Sequence, residues 1–139
     1  MSIVQTQTTS FKAELYQGIH VLTTDVIKIA LYTASADLNA DTTIYSSSNE
    51  ASGGNYVAGG AILTPVTVSS STSDATAYVG FPNYSWTGTI TARCALIYNF
   101  SKGNKSIAVL DFGSDKTQTN FTITMPANTS TTALIRSSY

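Results

Sequence analysis

The chain has 139 residues with a formal net charge of −1, and only 11% of them are charged, against about 25% in an ordinary globular domain. The basic residues Lys12, Lys28, Arg93, Lys102, Lys105, Lys116 and Arg136 are dispersed, which excludes the basic stripe that nucleic-acid binding needs. No run approaches the ~18 apolar residues of a membrane-spanning helix, and the length suffices for a hydrophobic core without staples.

Met1 to Thr9 is polar and aperiodic. Residues 1–10 are therefore expected to form a polar arm, with Ile3, Val4 and Gln5 as candidate contact residues, ahead of a single domain over 11–139. The segment lacks an apolar run, so no secretory signal is expected and synthesis belongs in a cytosol. Ser10 is placed to cap a two-turn helix that buries Phe11 and Leu15 and stops at Gly18. From Val26 to Tyr32 the residues alternate, with Ile27, Ile29 and Leu31 on one face.

Ala34 to Gly54 is a long polar excursion. Loops of that length usually carry function, so Asp41, Thr42, Thr43, Ile44 and Tyr45, together with Tyr56, form a candidate interaction loop at an end or edge of the fold. Asn55 to Val68 regains strand character, with Gly59-Gly60 marking a bulge or close backbone approach and Pro65 marking an edge. Strands follow over Ala75–Phe81, Tyr84–Trp86 and Ile90–Asn99, the last with Ile90, Ala92, Cys94, Leu96 and Tyr98 on one face. A hairpin at Ser101–Asn104 leads to Ile107–Phe112. Gly113–Lys116 reads as a turn into a strand around Phe121, Ile123 and Met125, and Ala133–Arg136 closes the sheet. About eight strands at this spacing predict an all-β fold: an antiparallel, jelly-roll-like β-sandwich with one short N-terminal helix and a single core between its sheets.

Chemistry is sparse. Cys94 is the only cysteine, so there is no intrachain disulfide and no thiolate zinc site. Its strand setting predicts a buried, inert thiol. His20 is the only histidine and no Ser sits in a nucleophile elbow, so His20 reads as a surface or capping residue. Asp37, Asn39 and Asp41 alternate oxygen ligands but lack the glycine and closing glutamate of an EF-hand. Tyr45, Tyr56 and Tyr84 lie near loops, where they suit either a sugar-stacking platform or a core and interface. No catalytic, cofactor or metal residue is assigned, and the chain is read as a non-enzyme.

Four stretches, 26–38 (VIKIALYTASADL), 55–61 (NYVAGGA), 92–99 (ARCALIYN) and 108–113 (AVLDFG), resemble in this order the small virion structural proteins of tailed bacteriophages. The resemblance spans most of Phe11 to Arg136, and relatives tend to have Gly where this chain has Cys94. It implies a virion component without a reaction: a capsid decoration (cement) protein bound to the major capsid protein and associated with itself, most naturally as a homotrimer. The alternative is a tail or head-fibre component with a carbohydrate- or receptor-binding face.

Overall fold

The alternating segment Ile27–Tyr32 forms β2, an inner strand of the larger sheet in the computed structural model, which describes residues 2–138. On one side β2 pairs with β3 (Ala61–Ile62) and on the other with β7 (Ile90–Asn99). Beyond β7 lie β8 (Lys105–Gln118) and then β1 (Thr6–Gln7), so the sheet order is β1-β8-β7-β2-β3 with every pair antiparallel. A second sheet, β10-β5-β4, is built from β4 (Thr67–Ser71), β5 (Thr76–Gly80) and β10 (Ile135–Ser138), and β6 (Tyr84–Ser85) pairs with β9 (Thr122–Ile123). The fold is all-β with one α-helix, α1 (Thr9–Tyr16). Thr8, not Ser10, caps that helix, because its hydroxyl accepts the Phe11 N–H at 3.3 Å. Phe11 is buried but Leu15 is exposed, and Gly18 takes the left-handed conformation (φ 71°) that ends the helix.

The larger sheet is apolar on both faces, which corrects the expectation of a single core. On the first face Ile27, Ile29, Leu31, Ile97 and Ile107 pack with Val79, Phe81, Trp86, Phe121, Ile123 and Ile135. On the second face Ala30, Tyr32, Cys94, Leu96, Tyr98 and Val109 pack with Ala36 and Leu38, and Ile3 and Tyr45 lie half-buried against them.

Strand β7 does not keep one apolar face. Ile90 and Ala92 belong to the first core, whereas Cys94, Leu96 and Tyr98 belong to the second. The cause is a bulge: pairing jumps from Ala92↔Lys116 to Cys94↔Asp111, so the four residues Phe112 to Asp115 of β8 stand against Arg93 alone and the side-chain alternation inverts across it. Gly113-Ser114-Asp115-Lys116, expected to be a turn, stays inside β8, with Gly113 at φ 84° within the bulge. A second irregularity between Ile97↔Ala108 and Tyr98↔Ser106 leaves Ile107 extra, and Ile107 and Ala108 consequently both face the first core. Of the face expected from Ala77, Val79 and Phe81, only the last two are buried.

Gly60 is a close backbone approach: a Cβ there would lie 1.8 Å from the Ile29 carbonyl oxygen, so no other residue fits against β2 at that point. The accessible surface of 7005 Å² matches the roughly 6,900 Å² expected of a compact monomer of 14.7 kDa.

Because Leu96 and Ile97 are both fully buried, on opposite faces of β7, Leu96→Ala and Ile97→Ala should each cost about 2–5 kcal/mol in urea unfolding. A near-zero cost at Leu96 would mean that the second face is not a core.

Candidate functional site

The long loop and the N-terminal segment, expected as an interaction loop and a polar arm, meet on the second face of the larger sheet. Ile3 forms a parallel bridge with Leu38, flanked by Val4 N–H to Leu38 O (3.0 Å) and Leu38 N–H to Ser2 O (2.8 Å). Thr9 N–H donates to Ala40 O at 2.9 Å. Farther along, Ile44 bridges Lys105, Tyr45 N–H donates to Asn104 O (2.9 Å), and Ser106 N–H donates to Thr43 O (2.9 Å). The Ser106 hydroxyl adds a bond to Thr42 O at 2.7 Å. Residues 36, 38 and 45 point apolar side chains down onto the sheet, so the loop is a second structural layer and not a mobile excursion.

Of the candidate loop residues, Asp41, Thr43 and Ile44 face solvent, Ile44 at 53% exposure, while Thr42 and Tyr45 are half-buried. Of the arm candidates, Ile3 is half-buried and Val4 and Gln5 are exposed. The Gln5 side-chain carbonyl accepts the Asp111 N–H at 3.0 Å. Residues 6 and 7 have become strand β1, so the expected free arm is an edge of the sheet. Tyr56 lies elsewhere, half-buried against the first core.

Glu50 ties these parts together. It sits on the open edge of β2 beside Tyr32, and Ala51 N–H donates to Leu31 O at 2.8 Å. One carboxylate oxygen accepts the Tyr45 hydroxyl at 2.6 Å; the other accepts the Tyr56 hydroxyl at 2.5 Å and the Gly59 N–H at 2.8 Å. The Tyr56 oxygen also accepts the Leu31 N–H (2.9 Å), and the Tyr98 hydroxyl donates to Gly59 O (2.5 Å). The Tyr45 ring stacks on Tyr98 with centroids 4.7 Å apart, and the Tyr32 hydroxyl donates to Ser46 O at 2.7 Å. Burial, and then the hydrogen bond to Glu50, raise Tyr45 and Tyr56 well above the ordinary phenol range. Burial, and then the Glu50 charge, push Tyr98 up to about 12, and the same two causes raise Tyr32. These phenols stay protonated as donors at neutral pH. The arrangement is a latch whose acceptors and donors are internally matched.

Sequence reasoning noticed Glu50 only as one of several scattered carboxylates and left it out of the candidate loop, yet a signal was available: it is the only charged residue between Asp41 and Asp74.

The other polar network centres on His20, which is buried and not at the surface as expected. Asn99 Nδ2 donates to His20 Nδ1 (2.9 Å) and to Asp25 (2.8 Å), which leaves His20 Nε2–H to donate to Glu14 at 2.8 Å. Lys102 pairs with Asp25 at 2.9 Å. Burial alone would raise Asp25, but bonds from Asn99, Val21 N–H and Lys102 outweigh it and hold the carboxyl below its ordinary value. No serine or cysteine takes part, so the chain of contacts pins α1 to the β7–β8 turn and activates no nucleophile.

Asp37 and Asn39 likewise have structural partners, Asp37 Oδ1 accepting from Ser2 N–H (3.1 Å) of the N-terminal segment and from Asn39 Nδ2 (3.2 Å) within the turn. Among the described residues no group of three or more His, Cys, Asp or Glu is placed to hold a metal. Cys94 is buried, and burial followed by the nearby Asp111 charge pushes its thiol up to about 12. The aromatic residues near loops pack inward: Trp86 is 2% exposed and contacts Tyr84 and Tyr56 with centroids at 4.7 and 5.6 Å.

Unfolded phenols ionise near pH 10, so stability contributed by the four raised tyrosines is complete below about pH 10 and lost as pH rises through their folded values. Alkaline titration by tyrosinate absorbance should find Tyr32, Tyr45, Tyr56 and Tyr98, four of the eight tyrosines, silent until the protein unfolds. Uniform ionisation in the folded state would rule the latch out. Glu50→Ala should cost about 1–3 kcal/mol by stranding its buried donors, and a value near zero in chemical denaturation would count equally against it.

No family model matches the chain, and no curated protein or solved structure is significantly similar to it.

Proposed function

We propose that the chain is a non-enzymatic structural protein of a tailed-bacteriophage virion, namely a capsid decoration (cement) protein that binds the outside of the shell and stabilises contacts between capsomers. The observation that carries this reading is the ordered set of four sequence stretches. Residues 26–38 form β2 and the start of the second layer, 55–61 hold the Gly60 approach to β2, and 92–99 and 108–113 lie in β7 and β8. The resemblance therefore lies on the elements that build both cores.

The outside of the second layer has the character such a role requires. Between Ala34 and Asn49 the only charged residues are Asp37 and Asp41, and Val4 (49% exposed) and Ile44 lie open among hydroxyls and amides. Docking that face against the major capsid protein strips water from few ions. A cyclic homotrimer would match a local threefold position and turn later contacts into intramolecular ones. The tail or head-fibre alternative with a sugar-binding face draws less support, because Trp86 is buried and the Tyr45 and Tyr56 hydroxyls are occupied by Glu50. Among the described residues no helix is long and apolar enough to cross a membrane.

Copy number per purified particle, from a stained gel, tests the role: hundreds of copies are expected, and a handful would transfer the protein to the tail. Mass measurement should give a trimer at both low and high salt, since an interface this poor in ions is weakly screened. Dissociation in moderate salt would show that ion pairs hold it.

A further inference from the structure

Between β8, β9 and Leu134 lies an open groove of about 650 Å³, within the size range of binding clefts. Its floor is apolar, formed by Phe112, Phe121, Ile123 and Met125, with Leu134 at one end. Leu134 is shared with a second, polar hollow of about 340 Å³ that Gln7, Arg136 and Ser138 help to line. The two hollows therefore adjoin at Leu134, and the pair makes up a trough. Strands β1 and β10 each pair with a neighbour on one side only, and both contribute residues to the second hollow.

Its charge is one-sided. Lys116 lines the first hollow and Arg136 the second, and no carboxylate lines either. Among the described residues the ion pairs are His20–Glu14, Arg93–Asp111 and Lys102–Asp25, so neither of these two cations has a carboxylate partner. Arg136 is held in place by bonds from Nε to Ala133 O (3.1 Å) and from Nη1 to Thr131 O (2.5 Å). In a chain of net charge −1 the trough is a local cationic site with an apolar floor.

We propose that this trough takes an extended segment of a partner protein in which apolar and acidic side chains alternate, laid along the free edge of β10. The strand edge supplies main-chain hydrogen bonds. Apolar side chains enter the floor beside Phe112 and Met125, and carboxylates reach Lys116 and Arg136. A strand places successive side chains on opposite faces, so an alternating segment serves the apolar and cationic walls together. The inference is independent of the virion reading, since it rests on a different surface from the second layer.

The test is an NMR titration of the isotope-labelled full chain with the peptide acetyl-VEVDV-amide, and with acetyl-VKVKV-amide as its charge-reversed counterpart. Saturable amide shifts confined to residues 5–7, 116–125 and 134–138 are expected with the acidic peptide, with the basic peptide at least about fivefold weaker. Lys116→Glu and Arg136→Glu change exposed residues, so they should leave the fold intact and each weaken the acidic peptide by about fivefold. Absence of shifts at millimolar acidic peptide, or equal binding of both peptides, would overturn the proposal. Displacement of the peptide by a lower concentration of dodecanoate would reassign the trough to small amphipathic anions. Concentration-dependent shifts of the same residues without peptide would reassign it to a second copy of the chain.

Discussion

A central strand that is apolar on both faces needs two covers, and this requirement on β7 organises the whole molecule. Ile90, Ala92, Ala95 and Ile97 look one way; Cys94, Leu96 and Tyr98 look the other. The first cover is made in the usual manner, by other strands bringing Val79, Phe81, Ile123 and Ile135. No sheet remains to make the second. The chain recruits the residues between Thr33 and Glu50 and its own N-terminal segment instead, and this is why a polar stretch with few apolar residues is ordered at all. Leaving Leu96 and Tyr98 in water would forgo about 1.5–3 kcal/mol for each large side chain, which offsets part of the conformational entropy of fixing the loop.

The two covers are held by different forces. The first relies on apolar burial between strands. The second buries fewer apolar side chains and depends on directed bonds: two phenols and a backbone N–H on Glu50, Ser106 on Thr42 and Thr43, and Ile3 against Leu38. Apolar contact is indifferent to register, whereas a carboxylate with three fixed donors accepts one placement of the loop. Glu50 therefore selects which arrangement of the second layer forms, in addition to contributing to its stability.

Much of this architecture was legible in the sequence. The alternation through Ile27, Ile29 and Leu31, the Gly18 stop, the hairpin after Asn99 and the glycine approach at Gly60 all follow from local rules and stand in the structure. What was not legible was non-local. Gly113-Ser114-Asp115-Lys116 has turn composition, and only its place in β8 against Ala92 and Arg93 makes it part of a bulge. That bulge inverts the side-chain alternation, so a face read straight along Ile90 to Tyr98 is right at each end and wrong across the middle. Thr8 and Ser10 are both capable caps, and Thr8 is selected by its bond to Ser106. The candidate loop and arm residues were named separately, and no spacing rule says that Ile3 and Leu38 meet. Tyr45 and Tyr56 were noticed as aromatic rings, whereas in the structure their hydroxyls matter as much.

Cys94 lies beneath the second layer, fully buried, with its thiol far from ionisation. A modifying reagent needs both access and a thiolate, and the closed protein supplies neither. The single thiol is thereby shielded from oxidants, and adjacent copies cannot cross-link through it while the layer is shut. The same shielding makes it an intrinsic reporter. Where opening and closing outpace the chemistry, the alkylation rate of Cys94 measures the free energy of lifting residues 34–50 from the sheet, without a label and without disturbing the fold.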